Sequence, residues 1–151
     1  MTRRLLRGIT ELYTPFTRIV DAALVIDSGT VVWVGPDADV PSAHRSLPVE
    51  NLGGRGLLPG FVDSHTHLVW AGSRVGEYIA RSHGADYEAL LAAGGGIMAT
   101  VRHTRAAHEA LLSSLARARA GAFLRGCVTA LEVKSGYGLD TATELKMLRV
   151  A

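Results

Sequence analysis

Cysteine is nearly absent. Cys127 stands alone among 151 residues, which excludes an internal disulfide and any zinc site built from several thiolates. A metal ion here would have to be held by histidine and carboxylate. Long hydrophobic runs are missing too: no stretch approaches the roughly 20 apolar residues that cross a bilayer. The start Met1-Thr2-Arg3-Arg4-Leu5-Leu6-Arg7 lacks the apolar core and small-residue cleavage site of a secretory leader. A soluble, cytoplasmic chain with no membrane partner is the expectation. The formal charge is only +2, and the arginines are scattered apart from the cluster Arg3, Arg4 and Arg7. No basic stripe is interleaved with aromatics, so nucleic acid is not an expected partner. What remains is globular composition, 48% apolar and 20% charged, with enough material for a core. The length suits one domain, or a small domain plus part of another.

The chain is organised around residues 58–67, Leu-Pro-Gly-Phe-Val-Asp-Ser-His-Thr-His. This reads as a short strand entered through a Pro-Gly corner and ending in His65 and His67. Strand side chains alternate faces, so the two imidazoles project to the same side, where two ring nitrogens can share one metal ion. The bland alternative is a pair of ordinary histidines satisfied by backbone carbonyls.

Upstream, residues 1–22 show no period that places them. The β-branched runs 22–26 and 31–35, joined through Asp27-Ser28-Gly29-Thr30, predict a hairpin. Residues 41–56 read as a loop containing one short strand near 49–52. Downstream, 68–74 is a mixed apolar loop ending in Arg74. A helix is expected over 77–83, closed by Gly84, and another after the N-cap Asp86. Gly94-Gly95-Gly96 stops that helix. It lacks the lysine and the serine or threonine of a phosphate-binding loop, so a packed turn is preferred. A longer helix is expected over 108–125. Its apolar stripe runs through Leu111, Leu115, Ala118 and Ala122, flanked by Leu112 and Phe123, and Arg117 and Arg119 lie on a solvated face. Gly126 ends it. Residues 127–134 form a second strand, apolar on both faces as buried parallel strands are, with Glu132 and Lys134 as a mutually satisfied pair. After the loop Ser135-Gly136-Tyr137-Gly138, the spacing Thr141-x-x-Glu144 predicts a capping box opening a last helix.

Strand, helices, strand and helix make a βαβα pattern, which implies a parallel sheet with right-handed crossovers and a site at the carboxyl ends of its strands. His65, His67, Arg74 and Tyr137 all fall at that rim. A closed eight-stranded barrel takes about 250 residues, so the chain is expected to be the front piece of a larger protein. No third ligand presents itself among His44, His83, His103 and His108.

The stretch Pro-Gly-Phe-Val-Asp-Ser-His-Thr-His after a β module resembles the amidohydrolase superfamily of metal-dependent hydrolases. Residues 67–74, 93–97, 100–105, 132–139 and 144–148 narrow the resemblance to the imidazolonepropionase family of histidine degradation. The Ser-Gly-Tyr-Gly and triple-glycine stretches are the discriminating ones. The fold so implied is α/β. A small β-sandwich-type module over 1–57, part of a composite sandwich, would precede the first two βα units of a truncated TIM (β/α)8 barrel over 58–151. The implied activity is hydrolysis of 4-imidazolone-5-propanoate to N-formimidoyl-L-glutamate by a metal-activated water. One zinc or iron ion is implied, with His65 and His67 as its first two ligands. Arg74 and Tyr137, with Tyr87 as a weaker candidate, match substrate-binding positions. The remaining ligands and the acid–base residues are expected beyond residue 151, and the whole protein is expected to be a homodimer. Two alternatives stand beside this reading. One is a different amidohydrolase, acting on another cyclic amide or as a deaminase. The other is an inactive piece that associates with itself through bare strand edges.

Overall fold

The computed structural model describes residues 3–151. The chain divides into two compact units, the first ending at Pro59 and the second running over Gly60–Ala151.

The first unit is a mixed four-stranded sheet of β1 (Arg4–Tyr13), β2 (Arg18–Asp27), β3 (Thr30–Pro36) and β4 (Val49–Leu57), in the order β3-β2-β1-β4. The expected hairpin is β2–β3. Its two-residue turn, Ser28-Gly29, takes positive φ at both positions (51° and 87°), the primed geometry that matches strand twist. The unplaced start of the chain is β1, antiparallel to β2 and parallel to β4. A bulge at Gly8 hides it from a search for period two. Leu6, Ile9 and Leu12 lie three apart yet enter one apolar cluster with Ala22 and Leu24. Gly8 sits at φ +67°, and a Cβ there would come within 2.2 Å of Asn51 Oδ1, so a larger residue would be strained and would displace the Asn51 side chain. The strand expected near 49–52 extends to Leu57. Gly53 and Gly54, which suggested a loop, kink it at positive φ without ending the ladder. Leu5, Ala23 and Val25 face the opposite way and are covered by Val40, Trp33 and Leu47. The described residues of this unit thus form one mixed sheet, with apolar residues on both of its faces.

In the second unit, β5 (Phe61–Thr66) pairs in parallel with β6 (Val128–Val133). Between them run α1 (Val75–Ser82), α2 (Tyr87–Ala92), α3 (Ile97–Ala106) and α4 (Glu109–Arg125), and α5 (Thr141–Val150) follows β6. The core gathers Leu68, Val69, Ala71, Ala107, Leu112, Ala116 and Met147. Helix α3 escaped the sequence reading because two of its three buried residues, Thr100 and Thr104, are polar. Thr104 is fully buried and satisfied: its Oγ1 accepts from Ala71 N at 3.1 Å. No helix among the described residues is long and apolar enough to cross a membrane.

Helix α4 is rotated from the expected stripe. Its inward residues are Leu112, Leu115, Ala116, Ala120 and Phe123, whereas Leu111 is 42% exposed and Ala118 and Ala122 face outward. Arg119 falls on the inward side, seven residues from Leu112, and is not part of a solvated face. Its Nη1 donates to Leu68 O and Trp70 O, both at 2.8 Å, and its guanidinium lies 3.7 Å from the Trp70 ring centroid. Burial lowers its pKa from the ordinary arginine value. Strand β6 is also less enclosed than expected: Thr129, Ala130 and Glu132 are exposed, because β5 is its only partner among the described residues. Cys127 lies outside the strand at φ +65°.

Three of the five helices of this unit, α2, α4 and α5, start at side-chain caps. Asp86 Oδ2 accepts from Ala89 N at 3.0 Å, and the His108 ring accepts from Leu111 N at 3.1 Å. At α5 the cap is Asp140, not Thr141: Asp140 Oδ1 accepts from Thr143 N at 2.8 Å. Glu144 turns away from the expected capping box to bind the preceding loop. The Thr143 N–H and hydroxyl hold the Asp140 carboxyl below the ordinary aspartate range; burial opposes them slightly and the Arg105 charge assists.

Replacing Leu112 by Ala is expected to cost about 2–5 kcal/mol of unfolding free energy in a urea titration. Leu111→Ala should change it by under about 0.5 kcal/mol; comparable losses at both positions would contradict the observed helix rotation. Because folding depresses the Asp140 pKa, its stabilisation is complete above the unfolded value and lost as pH falls through the folded one. Asp140→Ala should therefore lower the thermal midpoint at neutral pH, with the gap to the parent protein closing below about pH 4.

Candidate metal centre

Parallel pairing sets the site. Phe61 N donates to Cys127 O at one end of the β5–β6 ladder, and Lys134 N donates to Thr66 O at the other, both at 2.8 Å. The residues that follow, His67 on one strand and Ser135 to Tyr137 on the other, emerge side by side at the carboxyl end. His65 lies within β5 and is exposed; His67 lies just past it, half-buried. Their ring centroids are 5.5 Å apart at an interplanar angle of 71°. With Zn–N bonds of about 2.0–2.1 Å, two imidazoles on one tetrahedral ion hold their centroids roughly 5 Å apart, so the spacing fits a shared ion. His67 Nδ1 is buried and has no hydrogen-bond partner, leaving one ring nitrogen of the pair to be satisfied by something other than the described residues.

The loop after β6 closes on His67. The Tyr137 ring centroid is 5.0 Å from that of His67. Gly136, at φ +138°, packs so close that a Cβ would sit 3.0 Å from His67 Cε1. Beside this pair is a cleft of about 260 Å³ lined by Trp70, Ser73, Arg74, Tyr78, Thr100 and Tyr137. Arg74 and Tyr137 therefore share one cavity. Tyr87 does not line it; it opens α2, half exposed, with the Arg81 guanidinium 5.1 Å from its ring centroid.

The neighbouring charges belong to the rim. Lys134 Nζ pairs with Glu132 Oε1, and that hydrogen bond, followed by the lysine charge and a contribution from His65, holds the Glu132 carboxyl below the ordinary range. Of the other histidines, His44 belongs to the first unit and also has a buried Nδ1 without a hydrogen-bond partner, and three are engaged elsewhere. His108 caps α4, the His83 ring lies 2.8 Å from Ile79 O, and the His103 ring packs against Gly72, where a Cβ would come within 2.5 Å. Among the described residues no group of three or more histidine, cysteine, aspartate or glutamate side chains is placed to hold a metal ion. A catalytic zinc site takes three protein ligands. This one has two.

Sequence reasoning missed the residues that hold the rim in place. Arg119 fastens residues 68–70 from behind, and Arg105 Nε donates to Gly138 O at 2.6 Å. Lys146 Nζ reaches three carbonyls at the end of α3, those of Thr104, Arg105 and Ala107, at 2.8–3.2 Å. The one available signal was an arginine lying in the inward register of α4. Trp70, Tyr78 and Thr100 carry no motif that marks them as cavity residues.

Comparison with known proteins bears on the family and the fold. No family model matches the chain. It is 49% identical over 137 residues to an imidazolonepropionase of Cupriavidus pinatubonensis, covering 91% of this chain and 32% of that protein. To one from Roseobacter denitrificans it is 51% identical over 133 residues, covering 88% and 34%. Among solved structures, the triazine hydrolase of Arthobacter aurescens superposes with a TM-score of 0.55 at 20% identity, over all of this chain and 33% of that one. A mutant atrazine chlorohydrolase from Arthrobacter aurescens TC1, complexed with zinc and atraton, gives 0.52 at 21%, over 98% and 33%. At such identities these two show the fold alone. The chain spans about a third of the length of the curated relatives it matches. Over that span it belongs to the imidazolonepropionase family.

Proposed function

We propose that this chain supplies the metal-binding and carboxylate-binding rim of an enzyme that opens the ring of 4-imidazolone-5-propanoate, giving N-formimidoyl-L-glutamate. The observation that carries the proposal is the convergence at one strand end of His67, Tyr137 and the Arg74 cleft. In this reading β5 and β6 are the first strands of a (β/α)8 barrel, whose later strands add the missing ligands and the acid–base residues.

His65 and His67 would hold one zinc or iron ion, and the unpartnered His67 Nδ1 and the ring spacing support that donor pair. Zinc has a precedent in the solved atrazine chlorohydrolase of the same fold. Such an ion, when bound, supplies Lewis acidity at the ring carbonyl and acidifies a water toward neutral pH.

The rest of the work falls to the chain's own side chains. Arg74 presents a planar fork of donors to the propionate carboxylate, a bidentate match that a lysine would not reproduce. The Tyr137 hydroxyl, donor and acceptor at once, is placed to orient the ring within reach of His67. Trp70, backed by the Arg119 guanidinium, gives the cleft a fixed aromatic wall on which a planar ring can stack. Tyr87 remains a candidate for the same substrate only if α2 approaches the cleft when substrate binds.

A chimera tests the proposal: residues 3–151 in place of the matched third of the Cupriavidus pinatubonensis relative. It is expected to bind metal and to open the imidazolone ring. His65→Ala and His67→Ala should each lower bound metal, with turnover falling by about 10²-fold, the scale of losing a key electrostatic stabiliser. Arg74→Lys should act mainly through KM, about tenfold or more, by losing one of two charge-assisted hydrogen bonds. A folded, metal-loaded chimera that leaves imidazolone propanoate intact but hydrolyses another cyclic amide would transfer the chain to a different substrate.

A further inference from the structure

Glu144 is the one acidic side chain of α5 that points back into the loop carrying Tyr137. Its Oε1 accepts from Gly138 N at 2.7 Å and Leu139 N at 2.9 Å. Its Oε2 is buried and has no partner within hydrogen-bond distance. The loop lies hard against the start of the helix: a Cβ on Gly138 would come within 2.8 Å of both Glu144 N and Thr143 Cβ. From the opposite side Arg105 holds Gly138 O and pairs with Asp140 at 3.1 Å. Two residues upstream, the same loop presses Gly136 and Tyr137 against the His67 ring.

We infer that Glu144 is a positioning residue of this site, clasping the loop over residues 136–139 so that Gly136 and Tyr137 fix the orientation of the His67 ring. The clasp depends on charge as well as shape. Burial pushes the Glu144 carboxyl up, but the N–H groups of Leu139, Gly138 and Gly136 and the Ser135 hydroxyl outweigh it, so the group stays ionised. A glutamine can still offer one carbonyl oxygen to Gly138 and Leu139, but it lacks the charge that strengthens both hydrogen bonds. The inference deepens the proposed function and rests on it for what the clasp serves; the clasp itself stands on the hydrogen bonds above.

The test is NMR of the chain, following the His67 ring protons, the Gly138 and Leu139 amides, and the Leu112 and Met147 methyls. Tyr137→Leu supplies the His67 shifts in the absence of the neighbouring aromatic ring. In Glu144→Ala, the Gly138 and Leu139 amides should exchange about tenfold faster or more, as expected when hydrogen bonds to a charged acceptor are lost. The His67 ring protons should move toward their Tyr137→Leu positions while the core methyls stay in place. Glu144→Gln should fall between parent and Glu144→Ala. Parent-like His67 shifts in both variants would overturn the inference. So would core methyls that move or vanish in both variants, since Glu144 would then be a general prop of the fold. A Zn2+ titration of the parent chain separates the two readings. If the His65 and His67 resonances ignore zinc, the ligand assignment fails while the clasp is judged on its own shifts.

Discussion

Everything chemical in this chain depends on the parallel pairing of β5 with β6. A parallel ladder starts and stops its two strands together, so whatever follows each strand emerges at the same end. Here His67 follows one and Ser135-Gly136-Tyr137 follows the other, with the Lys134 N–H to Thr66 O bond as the last rung before both depart. An antiparallel pairing of the same residues would send the histidines and the tyrosine to opposite ends. The crossover needed for a parallel pair is what α1 to α4 provide, and the loop between β5 and α1 delivers Arg74 to the cleft shared with Tyr137.

Around that rung the structure uses charged side chains to hold backbone in place. Arg119 binds the carbonyls of Leu68 and Trp70, Lys146 the carbonyls ending α3, Arg105 the Gly138 carbonyl, and Glu144 the Gly138 and Leu139 N–H groups. Each satisfies polar groups that loops leave unpaired where a regular element stops, and which would be costly to bury alone. The rim is thus fastened from behind by residues that do not line the cleft of Arg74 and Tyr137. The two outer faces of the β5–β6 pair are less complete: Phe61 and Val62 are 53% and 71% exposed. Apolar strand residues left open on a two-stranded parallel sheet are in keeping with relatives three times as long.

The elements legible in sequence were those with local signals. The β2–β3 hairpin announced itself by a Ser-Gly turn between β-branched runs, the site strand by its Pro-Gly entry and paired histidines, α2 by its Asp86 cap, and α4 by length and period. Those missed had signals that were broken or shared. Gly8 shifts the register of β1, so that apolar residues recur at three, and Gly53-Gly54 made a strand look like a loop. Threonines occupy the buried face of α3. Leu111 and Leu112 offered two stripes one position apart on α4, and the buried one includes Arg119, a residue that polarity alone assigns to solvent. Asp140 and Thr141 are both good caps, and the Thr-x-x-Glu spacing favoured the wrong one because Glu144 had a competing partner in the loop.

By itself the sequence determined which chemistry is available: two histidines on one strand face, an arginine and a tyrosine after strand ends, and a single cysteine, too few for a multi-thiolate metal site. It also carried the family, since motif residues are read directly from the chain. Tertiary structure alone decided which of these meet. It joined Arg74 with Tyr137 in one cleft and left Tyr87 outside it. It left His67 Nδ1 buried without a partner among the described residues, and it recruited Glu144 and Arg119 as supports. The physical reason is that residue type and spacing act over a few residues of chain. The meetings at this rim join segments tens of residues apart, and only the packing of the sheet and helices sets those distances.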